Sequence, residues 1–400
     1  MTPNQVKHLP LIVGFTKAVS YGLSFTSHAD SVHSASHSMD KKTNMSKYAA
    51  ITGWGKCVPP AILTNDQIAS VIDTSDEWIR TRSGISERRV SHVPGSDLAT
   101  VAGQRAMAAA DATADEIDLL IVATCTPDTV IPSTAAHVQR KLGAHNAAVF
   151  DLNAGCSGFI YSLNVATAMI RSGGYKKALV IGSERITWFL NWSLRDTAVL
   201  FGDGAGAVVA EPSEEESGLL FSHLGCEGDV ADVLQIPNFG TAGNRFVENY
   251  GIFGVQFDGR EIFRRAVKGM ALETRLVLEE LGLTDDDIDM IIPHQANLRI
   301  IESLAKHLSV DMSKVEVNIQ NYGNTSAATI PVALVEALEA GRVEPGSRIL
   351  LAAFGAGLTR AAGLLRWGQR TTPLKQSDAE LPPCDQTALE ILGEAIQHTL

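Results

Sequence analysis

Cysteine is scarce in this chain of 400 residues, which holds only Cys57, Cys125, Cys156, Cys226 and Cys384. Odd in number and widely scattered, they build no disulfide framework and match no zinc spacing, and they suit a reducing compartment such as the cytoplasm. Long apolar runs are missing as well, and none is long enough to span a bilayer. Basic residues are outnumbered, with 33 Lys and Arg against 45 Asp and Glu, giving a net charge of −12. That balance argues against a nucleic-acid surface but leaves room for a local basic patch that binds a phosphate or an acidic protein. Acidic residues are absent before Asp30. The Ser- and His-rich stretch 1–46 therefore reads as a disordered or non-native extension, with Met45 as an alternative start. Its apolar run Leu9–Phe15 is too weak for a signal peptide, and arginine is too scarce for an organelle transit peptide.

What remains is ordinary globular material, 45% hydrophobic and 20% charged. Its length exceeds what one hydrophobic core usually supports, so two cores or one duplicated domain are expected. We divide the chain into the extension 1–46, a first half 47–220, a second half 221–367 and a tail 368–400. The halves share a plan. Ile288–Pro293 parallels Ile117–Cys125 as a strand, and Val315–Asn318 leads to Asn324 and a helix much as Phe150-Asp151 leads to Cys156 and its helix. Strands alternating with helices predict parallel-dominated sheets layered with helices. In the tail, Leu389, Leu392 and Ile396 share one face of an amphipathic segment, either a docking helix or a loose terminus.

The chemistry centres on Asp151–Phe159. The apolar run Ala147–Leu152 reads as a buried strand, and Phe159, Leu163, Ala166 and Ile170 recur at helical spacing. Cys156 thus sits where a strand hands over to a helix, near the unpaired N–H groups that lower a thiol pKa. Its small neighbours Ala154, Gly155, Ser157 and Gly158 leave room for a substrate. A buried core cysteine is the competing reading. It loses ground because His294 and Asn324 also follow strand-like runs and open helices, and Cys, His and Asn far apart in sequence form a known nucleophilic constellation. Trp78, followed by Arg80, Arg82, Arg88 and Arg89, suits an adenine nucleotide with phosphates. Gly202, Gly204 and Gly206 have the spacing GxGxG and precede a strand, so they mark tight packing and not a dinucleotide loop.

These segments, together with Asp73–Ile79, Gly84–Arg89, Phe201–Ala207 and Phe354–Thr359, resemble the β-ketoacyl-acyl carrier protein synthase III family of the thiolase superfamily, over roughly Tyr48 to Trp367. The resemblance implies an α/β chain with a thiolase-like five-layer α/β/α/β/α fold from two duplicated halves. It implies a decarboxylating Claisen condensation of an acyl-CoA primer with malonyl-acyl carrier protein that initiates fatty acid synthesis. Cys156 would be the nucleophile, the backbone N–H groups of Cys156 and Ala356 the oxyanion hole, and His294 and Asn324 donors to the malonyl thioester carbonyl. Asn297 would order the pantetheine channel. Trp78, Arg82 and Arg195 would line the coenzyme A entrance, and Arg264, Arg299 and Lys306 would dock the acidic carrier protein. Neither a metal nor a resident cofactor is implied, since the coenzyme A thioester is a substrate, and neither nucleic acid nor membrane is expected as a partner. The family is dimeric, with the interface near the nucleophile helix and the position of Ile131. Ile131 stands where several relatives carry an aromatic that limits acyl length, so medium or branched primers are expected. Two departures from the family pattern are Ala356, where many relatives have glycine, and Arg360, where tryptophan is common. Alternatives are a condensing enzyme of secondary metabolism, a thioesterase or acyltransferase using the same three residues, and a non-catalytic scaffold. The local signatures of papain-like hydrolases are missing, and the His-Gln-Ala-Asn and Asn-Tyr-Gly-Asn-Thr-Ser segments resemble this branch rather than thiolases.

Overall fold

The computed structural model describes residues 46–237, 240–241 and 254–399. The extension expected at 1–46 lies, apart from Ser46, outside them. One nine-stranded sheet runs through the described residues. Its strands are β1 (Tyr48–Cys57), β2 (Leu119–Ala123), β3 (Ala148–Leu152), β4 (Ala178–Glu184), β5 (Gly204–Ser213), β6 (Gly218–Cys226), β7 (Met290–Pro293), β8 (Arg348–Gly355) and β9 (Thr359–Arg366). They lie in the order β7-β8-β9-β6-β1-β5-β4-β2-β3.

The halves meet at one parallel pair, Ala49 with Gly218. In the first half β3, β2 and β4 are parallel, whereas β5 and β1 each run antiparallel to the strand before them. The second half repeats this with β7 and β8 parallel and with β9 and β6 antiparallel. Val315 even bridges Ile291 in parallel, in the place of β3. The sheet is therefore mixed, which corrects the parallel-dominated expectation. A turn as short as Ala356–Leu358 cannot carry a crossover, so β8 and β9 must pair antiparallel.

The helices that matter here are α1 (Asn65–Ala69), α2 (Asp76–Ser83), α3 (Gly95–Ala110), α4 (Thr134–Leu142), α5 (Gly158–Arg171), α6 (Arg195–Ala198), α7 (Gly259–Leu281), α8 (Leu298–His307), α9 (Thr329–Glu339), α10 (Ala388–Ile391) and α11 (Gly393–Thr399). Strand parity assigns the layers, because successive side chains point to opposite faces. Ile121 and Val180 of the first half, and Ile292, Ile349 and Leu351 of the second, join Phe159 and Leu163 of α5 and Leu334 of α9 in one central core. Their neighbours Leu120, Val122 and Ile181 face α3 and α4. Likewise Leu350, Ala352 and Leu364 face α7 and α8. The result is the five-layer α/β/α/β/α architecture built from two duplicated halves. Gly206 serves packing, since a Cβ there would lie 2.7 Å from the Cβ of Pro331 on α9.

The tail crosses α3, where the N–H groups of Leu374 and Lys375 donate to the carbonyls of Ala109 and Ala108 at 3.0 and 3.2 Å. It then docks as two short helices, with Ala388, Leu392 and Ile396 buried. Among the described residues no helix is long and apolar enough to cross a membrane.

Candidate active site

β3 hands over to α5 through a tight turn. Asn153 Oδ1 accepts from the N–H of Gly155 at 3.2 Å, and Gly155 has φ +53°. A Cβ on Gly155 would lie 2.8 Å from the backbone nitrogen of Ala356, and one on Gly355 would lie 2.6 Å from that of Cys156. Glycine is needed at both positions for the two turns to touch. Thr359 Oγ1 clamps them, donating to the Ala154 carbonyl at 2.7 Å and reaching Ser157 Oγ at 3.2 Å. Among the described non-glycine residues only Asp111, Ser309 and Ser326 have positive φ, so alanine at 356 is unstrained.

Two local expectations are corrected. β3 is an edge strand with Ala148 exposed and the rest half-buried, because the sheet ends there. The Cys156 thiol is pushed up to about 12 by burial, not lowered. A Ser326 hydrogen bond and its own backbone N–H favour the thiolate, but loss of water at the pocket floor outweighs them.

His294 follows β7 and is buried, with Nδ1 2.7 Å from Thr329 Oγ1. Burial holds the imidazole neutral, its pKa lowered to about 3. Thr329 Oγ1 also lies 3.0 Å from the carbonyl of Ser326. Its single proton, given to Ser326, makes Nδ1 the donor and leaves Nε2 an acceptor; given to Nδ1, it makes Nε2 the donor. Asn324 is oriented without ambiguity. The Ser326 N–H can only donate, and it reaches Asn324 Oδ1 at 2.8 Å, which frees the Asn324 Nδ2 protons for another acceptor.

Cys156, His294, Asn324, Asn297 and Ala356 all line one cavity of about 590 Å³. Its other walls are largely apolar, among them Phe201, Leu234, Phe263, Met270 and Phe354. Ile131 is not among them; it is 85% exposed on the surface of this chain. Sequence reading passed over Thr329, Ser326 and Glu184. Glu184 is fully buried and accepts from Ser326 Oγ at 3.0 Å and from the N–H of Cys125 at 3.1 Å. A charge ending the apolar run Ala178–Ser183 was the available signal for Glu184, and the place of Ser326 at the end of the Asn-Tyr-Gly-Asn-Thr-Ser segment was the signal for Ser326; Thr329 had none.

The arginine cluster resolves into separate roles. Arg82 and Arg195 stand over Trp78, their guanidinium carbons 4.7 and 4.4 Å from the ring centroid. Arg80 pairs with Asp76 at 3.0 Å. Arg88 is buried, donating to the carbonyls of Leu63 and Val199 and to Asn65 Oδ1, and so does not face an incoming phosphate. Asn297 caps α8 and donates to the Arg82 carbonyl at 2.9 Å, which sets the stack beside the cavity. Arg264, Arg299 and Lys306 are exposed on α7 and α8. Arg264 pairs with Glu261, and Arg299 lies over the Phe263 ring at 5.6 Å.

Fold and site together define a condensing enzyme of the thiolase type, one that transfers acyl groups. Residues 150–228 match the family model for 3-oxoacyl-[acyl-carrier-protein] synthase III, and residues 278–367 match the model for its C-terminal part. A β-ketoacyl-[acyl-carrier-protein] synthase III 2 of Vibrio vulnificus is 56% identical, covering 88% of this chain and 97% of its own. A synthase III of Roseiflexus is 50% identical over 81% of this chain and 99% of its own. The crystal structure of the Aquifex aeolicus synthase III superimposes with a TM-score of 0.75 at 44% identity, covering 80% of this chain and 100% of that one. The chain belongs to the β-ketoacyl-acyl carrier protein synthase III family.

Proposed function

We propose that this chain condenses an acyl-CoA primer with malonyl-acyl carrier protein, releasing carbon dioxide and initiating fatty acid synthesis, as a cytoplasmic homodimer. The observation that carries the reading is the convergence of Cys156, His294 and Asn324 in one largely apolar cavity. Cys156 Sγ attacks the thioester carbon, its proton leaves with coenzyme A as the free thiol, and an acyl-enzyme remains. The N–H groups of Cys156 and Ala356 stabilise the oxyanion. Malonyl-acyl carrier protein then enters, and Asn324 Nδ2 and His294 Nε2 donate to its thioester carbonyl. Loss of carbon dioxide gives an enolate whose carbon attacks the acyl group. A carbon–carbon bond forms, Cys156 departs as thiolate and takes up a proton. The donor role of His294 requires Thr329 to direct its proton to Nδ1.

Coenzyme A is a substrate here and no resident cofactor is invoked; neither nucleic acid nor a membrane belongs to the reading. Its adenine nucleotide stacks at Trp78, with Arg82 and Arg195 on the phosphates. Asn297 orders the pantetheine channel. Arg264, Arg299 and Lys306 offer an exposed basic face to the acidic carrier protein. Dimerisation is supported by the open edge of β3 and by the exposed apolar side chains of Val130 and Ile131, 75% and 85% exposed. In such a dimer Ile131 limits the acyl pocket of the partner subunit, and its modest size admits medium or branched primers.

The test is intact-protein mass after incubation with a panel of acyl-CoAs, for wild type and Cys156→Ala, followed by malonyl-acyl carrier protein. A mass gain confined to wild type and discharged as 3-ketoacyl-acyl carrier protein is expected, and the best donor names the primer. Discharge only to water would make the chain a thioesterase.

A further inference from the structure

We propose that the C-terminal tail positions the coenzyme A entrance: α10 and α11 hold the segment Ile186–Val199 from beneath, and through it Arg195 against Trp78. The proposal rests on the coenzyme A reading of Trp78, Arg82 and Arg195. The family model for the C-terminal part ends at residue 367, short of the tail.

One apolar cluster ties the tail to the entrance. It joins Ile68 and Ile79 of α1 and α2, Leu190 and Trp192 of the segment leading into α6, and Leu392 and Ile396 of the tail. Trp78 packs at its margin. Trp192 is fully buried, and its backbone N–H donates to Thr399 Oγ1 at 3.1 Å. Leu392 is 1% exposed. Without the tail, large apolar side chains of the 186–199 segment would face water.

Arg195 has little to hold it otherwise. Its helix α6 is four residues long, far below the length at which a helix sustains itself. Among the described residues its exposed side chain has one hydrogen bond, to the Asp73 carbonyl at 3.1 Å, and the stack on Trp78. Trp192, three residues earlier, is the fixed point from which α6 departs. The tail is itself anchored before its helices, by Glu380 on Arg105 at 2.7 Å and by the Pro382 carbonyl on His92 Nε2 at 2.8 Å. It is thus held at both ends over the underside of the entrance.

A tail that only stabilised the fold would affect every acyl donor alike. One that positions Arg195 affects donors carrying the nucleotide. The experiment compares acylation of Cys156 by an acyl-CoA and by the same acyl group on pantetheine, which lacks the nucleotide, in full-length Leu392→Glu. The KM for acyl-CoA is expected to rise roughly tenfold, the equivalent of about 1.4 kcal/mol. Its kcat, and kcat/KM for acyl-pantetheine, stay within about twofold of wild type. Equal losses with both donors, or no change with either, would overturn the proposal. Thr399→Val, which removes the acceptor of the Trp192 N–H together with the hydroxyl's own donation to the Ala395 carbonyl within α11, gives the same selective rise at smaller amplitude and serves if Leu392→Glu fails to fold. Trp78→Ala separates the two claims. If it raises the acyl-CoA KM while the tail variants do not, the tail proposal fails alone; if it leaves KM unchanged, the coenzyme A reading falls and this proposal with it.

Discussion

Thr329 carries one hydroxyl proton and has two acceptors within reach, His294 Nδ1 and the Ser326 carbonyl. Which one receives it decides whether the neutral imidazole presents a donor or an acceptor at Nε2, so Thr329 acts through His294 and touches no reacting atom. Thr329→Val removes that control and leaves Nδ1 buried without a partner. Decarboxylation of malonyl-acyl carrier protein, followed by carbon dioxide release, is expected to fall roughly a hundredfold to a thousandfold, the size of one lost oriented donor. Thr329→Ser restores it, and acylation of Cys156 changes less than decarboxylation. Equal activity in Thr329→Val would assign the tautomer of His294 to some other group.

At the scale of elements, Arg360 explains a departure from the family pattern. It stands on β9 in the seam with α7, its Nε 3.0 Å from Glu273 Oε1 and its Nη1 2.8 Å from Glu227 Oε1. The Glu273 contact is an ion pair without hydrogen-bond alignment. Glu273 is fully buried and also meets His223 Nδ1. Glu227 exchanges backbone hydrogen bonds with Leu358 at 2.9 and 3.3 Å, which ties the network to the turn that carries Ala356. An apolar residue at 360 would leave the buried Glu273 carboxylate with His223 alone in place of two partners. Arg360→Met is expected to cost about 3–5 kcal/mol in urea unfolding. Adding Glu273→Gln should recover much of that loss, and a double variant no better than the single one would show that Glu273 does not need the arginine.

For the whole molecule, duplication places Cys156 and Asn324 at equivalent handovers in the two halves and brings both, with His294, to one cavity. A single chain leaves Ile131 outside that cavity, so the proposed dimer is tested at this scale. Ile131→Glu adds charge where the lone chain is already exposed, so folding should be unaffected. Sedimentation at micromolar concentration should show a two-chain species for wild type and a single chain for the variant. A variant that stays dimeric would remove Ile131 from the interface.

The sequence by itself determined the local events: Cys156 at the head of a helix, a strand within Ile117–Cys125, and the repeat of one plan in two halves. These depend on neighbours a few positions apart, which periodicity and small residues reveal. Only the tertiary structure decided that the sheet is mixed, that β3 is an edge, that Arg88 turns inward and Ile131 outward, and that the Cys156 thiol is raised. It alone brought Thr329 to His294 and the tail to Trp192. Each of these turns on partners distant in the chain, such as Arg88 with Val199 or Glu184 with Ser326. Burial and desolvation depend on which distant surfaces close over a group, and local sequence does not encode that closure.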